Sequence, residues 1–164
     1  MAITKDKKHK IVAKITDALA EANAVAFVGF NKLTVADSSH MRTQLAQAKV
    51  RFFVAKKTLI RRALETQGYL GTMPELPGEV ALAWTAGDDV TAPSRGVYEF
   101  GKKLKGALSL LGGVFERAFI DVAQVTAIAT IPPTPVLRGM FVNVLNSPIQ
   151  GLVVVLDKIR ERKP

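Results

Sequence analysis

Cysteine is absent from the 164 residues, which excludes a disulfide framework and thiolate metal sites and fits a reducing compartment. The two histidines, His9 and His40, are isolated from each other, and neither a Walker pattern nor a Gly-x-Gly-x-x-Gly run occurs. Asp88-Asp89 is the only adjacent carboxylate pair, and it follows a glycine at the start of a helical pattern, where such residues act as turn formers and caps. The sequence therefore assigns no catalytic residue, no metal site and no cofactor. The lysine-rich start lacks the uninterrupted apolar core of a signal peptide, so a cytoplasmic chain is expected. Acidic residues are scarce in one region in particular. Residues 1 to 62 carry 13 Lys/Arg and 4 Asp/Glu, whereas the remainder carries 10 of each. The entire excess of positive charge sits in the first two fifths, and that asymmetry points to a polyanion bound by one end of the molecule.

What is present reads as one folded domain with an appendage. Apolar residues make up 48% and charged residues 23%, a globular balance with no long disordered stretch. A helix is expected from Lys5 to Ala22, with Ile11, Val12, Ile15 and Leu19 on its inner face and Lys7, Lys10 and Lys14 opposite. Ala24 to Phe30 reads as a strand buried on both faces. Thr34 with Asp37 has capping-box spacing and starts a helix through Ala48. Val50 to Val54 forms the second strand, and Thr58 caps a third helix to about Gln67. Further strands are expected at Val80 to Trp84 and Ala107 to Val114, the latter with a bulge or close approach at Gly112-Gly113, with a helix from about Thr91 to Leu104 between them. Trp84 belongs to the core of its strand. Asp121 with Gln124 caps a short helix that Pro132-Pro133 stops. The expected class is α+β: a four-stranded sheet covered by helices over residues 1–132, then an extended C-terminal helix over 133–164 that begins with Thr134 as N-cap and Pro135 as its first helical residue.

Two features carry functional weight. The first is Lys56-Lys57-Thr58-Leu59-Ile60-Arg61-Arg62, placed where a strand hands over to a helix. The N-H groups of a helix start favour a phosphate, and four cations around it strengthen that preference; the bland alternative is a solvated basic face. With Lys7, Lys8, Lys10 and Lys32, these residues make nucleic acid the favoured partner, held by backbone and shape rather than by stacked bases. The second is the terminal helix. Between Pro135 and Leu156 its only charged residue is Arg138, and it is nearly the same segment written twice: Leu137, Gly139, Met140, Phe141, Val142 and Val144 match Ile149, Gly151, Leu152, Val153, Val154 and Leu156. Leu137, Met140, Phe141, Val144 and Leu145 form one candidate docking segment, and Ile149, Leu152, Val153, Leu156 and Ile159 the other. Ser147-Pro148 between them is expected to end one helical run, start the next and kink the helix. A membrane span needs about 20 consecutive apolar residues, and Asn143, Asn146, Ser147, Pro148 and Gln150 interrupt this stretch. Packing back on the parent domain is the ordinary alternative, but the repeat favours partner helices, one at each segment. A membrane-peripheral protein with a basic face and an apolar anchor is the competing class, and it is disfavoured because charge and apolar tail lie at opposite ends.

Asn31-Lys32-Leu33-Thr34-Val35, Met41-Arg42 and the run from Arg51 to Ala63 resemble the bacterial ribosomal stalk-base family, large-subunit protein ten, as do the later strand and Ala129-Thr130-Ile131-Pro132. The likeness spans nearly the whole chain. It implies an α+β domain bound to large-subunit ribosomal RNA beside ribosomal protein eleven. It also implies a C-terminal helix carrying two dimers of the stalk protein seven/twelve, which recruit translational GTPases. Lys57 stands where the family usually has Asn, an added charge beside the phosphate-binding position.

Overall fold

The computed structural model describes residues 5–31, 33–87, 89–104 and 106–161, with the backbone alone for residues 5–7. The elements in chain order are α1 (Lys5–Glu21), β1 (Ala24–Phe30), α2 (Val35–Gln47), β2 (Val50–Val54), α3 (Lys57–Gln67), β3 (Val80–Thr85), α4 (Ala92–Lys103), β4 (Leu108–Phe115), β5 (Ala118–Ile120), α5 (Val122–Ala129) and α6 (Thr134–Glu161). They divide into two compact units, Met1–Ile131 and Pro132–Pro164.

The first unit is built on a single sheet ordered β2-β3-β1-β4-β5, antiparallel at every junction. Central β1 has an almost wholly apolar sequence because helices cover both of its faces. Val25 and Phe27 pack with Ile15 and Leu19 of α1 and with Ile60 and Leu64 of α3. On the other face, Ala26 and Val28 pack with Met41 and Leu45 of α2 and with Val97 and Phe100 of α4. Each strand residue thus feeds one of two cores by the two-residue alternation of extended chain.

The sheet has five strands rather than the expected four. The extra strand, β5, returns from β4 through Glu116 and Arg117, both with positive φ (49° and 63°). Tight hairpins place Asn or Gly at such positions to avoid the steric cost of the left-handed region, so this turn carries no sequence signature. The Gly112-Gly113 expectation holds in both of its forms. Gly112 has φ 140° at a register shift that pairs Phe27 with Gly112 and Val28 with Leu110. A Cβ on Gly113 would lie 2.5 Å from the Val25 carbonyl oxygen and 3.3 Å from Val125 Cγ2 of α5. Neither neighbour can yield, because one is backbone of the central strand and the other is fully buried. Gly113→Ala is therefore expected to destabilise the first unit by about 2–3 kcal/mol, lowering its melting temperature by roughly 10 °C, measured through Trp84 fluorescence.

The caps follow the sequence in part. Thr34 Oγ1 accepts from the Asp37 N-H (3.2 Å) and its hydroxyl donates to Asp37 Oδ2 at 2.6 Å, in place of the backbone arm of a full box. Asp121 and Gln124 make the complete capping box, the Asp121 N-H donating to Gln124 Oε1 at 3.2 Å. Thr58 does not cap α3: the extended residue is Lys56, and Thr58 lies in the first helical turn. Thr134 is likewise the first helical residue of α6 rather than its cap, and the Pro133 carbonyl accepts from the N-H groups of Val136 and Leu137. Nor does α6 divide into two runs at Ser147. It continues through Pro148, whose missing N-H costs one backbone bond while both flanks hold the helical path.

Candidate RNA-binding surface and terminal helix

The basic cluster begins where β2 ends. Helix α3 buries Ile60, Ala63 and Leu64, and the helical period then turns Lys57, Thr58, Arg61 and Arg62 outward. Lys57 with Arg61, and Thr58 with Arg62, stand four residues apart in adjacent rows on the exposed surface. Lys56 occupies the N-cap without a side-chain bond, and no acidic residue lies in the first turn. The helix start therefore presents its N-H groups and positive dipole end without a competing carboxylate. A cavity of about 180 Å³ opens there between Lys57, Thr58, Arg61 and Leu76.

Helix α1 lies beside α3 on the same face of the sheet. Gln67 Nε2 donates to the Thr16 carbonyl (3.1 Å) and the Tyr69 hydroxyl to the Leu19 carbonyl (3.2 Å), joining the end of α3 and the residues just past it to the C-terminal half of α1. The helices run in the same direction, so the exposed Lys8 and Lys10 of α1 lie toward the same end of the layer as the start of α3. Of the remaining sequence candidates, Lys7 is described by its helical backbone alone, and Lys32 lies outside the described residues.

Three cations that sequence reasoning did not select gather at the free edge of β2. Arg42, Lys49 and Arg51 line a cavity of about 740 Å³ with Glu21 and Phe52, and the Arg42 guanidinium stands 5.9 Å from the centre of the Phe52 ring. They are spaced along a helix, a turn and a strand, so no charge run marks them. The outward place of Arg51 in the alternation of Val50 to Val54 was the one available signal.

Asp89 is engaged elsewhere. It accepts from Arg95 Nη2 (2.7 Å), from the Thr91 hydroxyl (2.7 Å) and from the Thr91 N-H (3.2 Å). Burial works to raise its carboxyl, but the hydrogen bonds from Arg95 and Thr91 and the guanidinium charge outweigh it and hold the group below its ordinary value. Asp88 lies outside the described residues. The Tyr69 hydroxyl is raised by burial, against the opposing charge of Arg117. No group of three or more His, Asp or Glu side chains gathers into a metal-binding cluster among the described residues.

Helix α6 spans 28 residues, roughly 42 Å, and none of them is buried. The ten apolar residues of its two segments range from 41% exposed at Leu137 to 69% at Val144. Val155, outside both segments as read from the sequence, is exposed as well. By length and composition α6 is also capable of crossing a bilayer.

A cationic helical layer and a long apolar helix without a buried residue are the two surfaces that set this chain apart, and neither carries the groups of an enzyme site. The chain belongs to the ribosomal protein L10 family, whose model matches residues 3–102. It is 34% identical over 158 residues to the large ribosomal subunit protein uL10 of Bacillus licheniformis, a match covering 96% of this chain and 94% of the relative. The proteins of the same name in Shouchella clausii and Bacillus cereus are each 32% identical, the latter over 163 residues covering 99% of this chain and 97% of the relative. The family is structural and non-enzymatic. Its model ends within α4, so the likeness beyond residue 102, α6 included, is carried by the individual relatives.

Proposed function

We propose that the chain is a structural constituent of the large ribosomal subunit in the bacterial cytoplasm. In this reading Lys7, Lys8, Lys10, Lys32, Lys56, Lys57, Thr58, Arg61 and Arg62 bind large-subunit ribosomal RNA beside protein eleven. The two segments of α6 each hold one dimer of the stalk protein seven/twelve, and those dimers recruit translational GTPases. The observation that carries the reading is α6 itself, a repeated apolar surface without a buried residue. Burial stabilises by about 25 cal/mol per Å² of apolar surface, so each segment is a sufficient anchor without a charged contact.

Native mass spectrometry of the chain co-expressed with the stalk protein tests the reading. One chain with four stalk copies is expected. A chain that emerges alone, at concentrations where the stalk protein is dimeric, refutes it. The length of α6 favours a second reading, an apolar membrane anchor. Against it stand Asn143, Asn146, Ser147 and Gln150 inside the span. Flotation with anionic vesicles separates the two, since a scaffold stays at the bottom of the gradient and an anchored protein rises.

A further inference from the structure

We infer that the two segments of α6 hold their partners on different sides of the helix, about a third of a turn apart, rather than along one continuous face. The inference rests on the docking reading above and adds its stereochemistry. The two copies are offset by twelve residues, Phe141 matching Val153 and Val144 matching Leu156, and the helix between them is unbroken through Pro148. At about 3.6 residues per turn, twelve residues make three full turns and about 120° of a fourth, with an advance of roughly 18 Å. Equivalent residues of the two copies therefore cannot face the same way.

A single face along the whole helix would join different residues. Eighteen residues make about five whole turns, so Val155 lies directly in line with Leu137, close to the azimuth of Phe141 and Val144. Val153 lies about 120° away from Phe141. By the repeat, Val155 instead corresponds to Asn143, which stands on the far side of its own segment from Phe141. The two arrangements thus make opposite demands on Val153 and Val155. Both side chains are free to be covered, at 58% and 53% exposure.

Repetition of the same apolar residues implies the same kind of partner at both places, each held by equivalent residues, and equivalent residues point about 120° apart. The turned arrangement also accounts for a helix that is apolar around much of its girth, since two stripes of ordinary width, turned against each other, cover most of the circumference.

The test compares single variants of the full chain co-expressed with the stalk protein. Val153→Asp is expected to reduce the load from two dimers to one, with the occupancy of the second falling at least tenfold. Val155→Asp and Asn143→Asp are expected to keep both dimers. A dimer lost in Val155→Asp, or none lost in Val153→Asp, overturns the turned arrangement. A wild-type load other than two dimers instead overturns the docking reading on which it rests. Circular dichroism checks that each variant keeps α6; where aspartate lowers helicity, Val153→Gln and Val155→Gln carry the same comparison, with the same outcomes.

Discussion

The double variant Phe141→Asp/Val153→Asp is expected to carry no stalk dimer while holding ribosomal RNA as tightly as the wild type. Each substitution places a carboxylate at the centre of one apolar segment, where docking would strip it of water with no cation to receive it; Arg138 is the only charged residue between Pro135 and Leu156. Anchor residues of this kind are worth about 3–4 kcal/mol each, which is roughly a hundredfold to a thousandfold in affinity per site. The first unit should not register the change, because both side chains are exposed on α6 and neither belongs to either core. Native mass spectrometry reads the loss, and RNA affinity measured in parallel reads the retention. An unchanged stoichiometry would remove α6 as the docking element.

Replacing Lys56, Lys57, Arg61 and Arg62 with glutamine is expected to weaken binding to large-subunit ribosomal RNA by a few hundredfold near 0.15 M salt. Each phosphate contact contributes about 0.7–0.9 to the slope of log affinity against log salt, so four lost contacts flatten that slope by about three. The flattening is the more informative measurement, because it separates cations on phosphates from cations that merely face solvent. A variant with undiminished affinity and slope would return the cluster to the status of a solvated face. Folding is not at risk. The four side chains are exposed, while Ile60, Ala63 and Leu64 on the other side of α3 keep their packing.

The sequence exposed those elements whose residues state one physical demand clearly. Ala24 to Phe30 is apolar at nearly every position because helices press on both sides, and Asp121 with Gln124 announced a capping box that forms as read. The basic cluster was legible because it is contiguous, whereas Arg42, Lys49 and Arg51 meet only after β2 finds its edge position. Strand β5 was hidden because Glu116 and Arg117 accept left-handed backbone that no local preference predicts. Thr58 misled because a good capping residue fell two positions past the true N-cap, Lys56. Pro148 misled in the opposite sense, since a proline that would end a short helix is tolerated within 28 residues. The repeat was plain in the sequence, but its rotation needed the knowledge that the helix is continuous.

Among the described residues only one ion pair forms, Arg95 with Asp89. The described cations of residues 1–62 take no part in it and are left to repel one another in the free chain. Salt screens that repulsion over about 8 Å at physiological strength, so added salt stabilises the unbound protein while it weakens the grip on a polyanion. The two responses have opposite signs. Conditions that keep the isolated chain comfortable in a tube are those in which it releases its partner, and the molecule is at its most stable in low salt only when something negative is already attached.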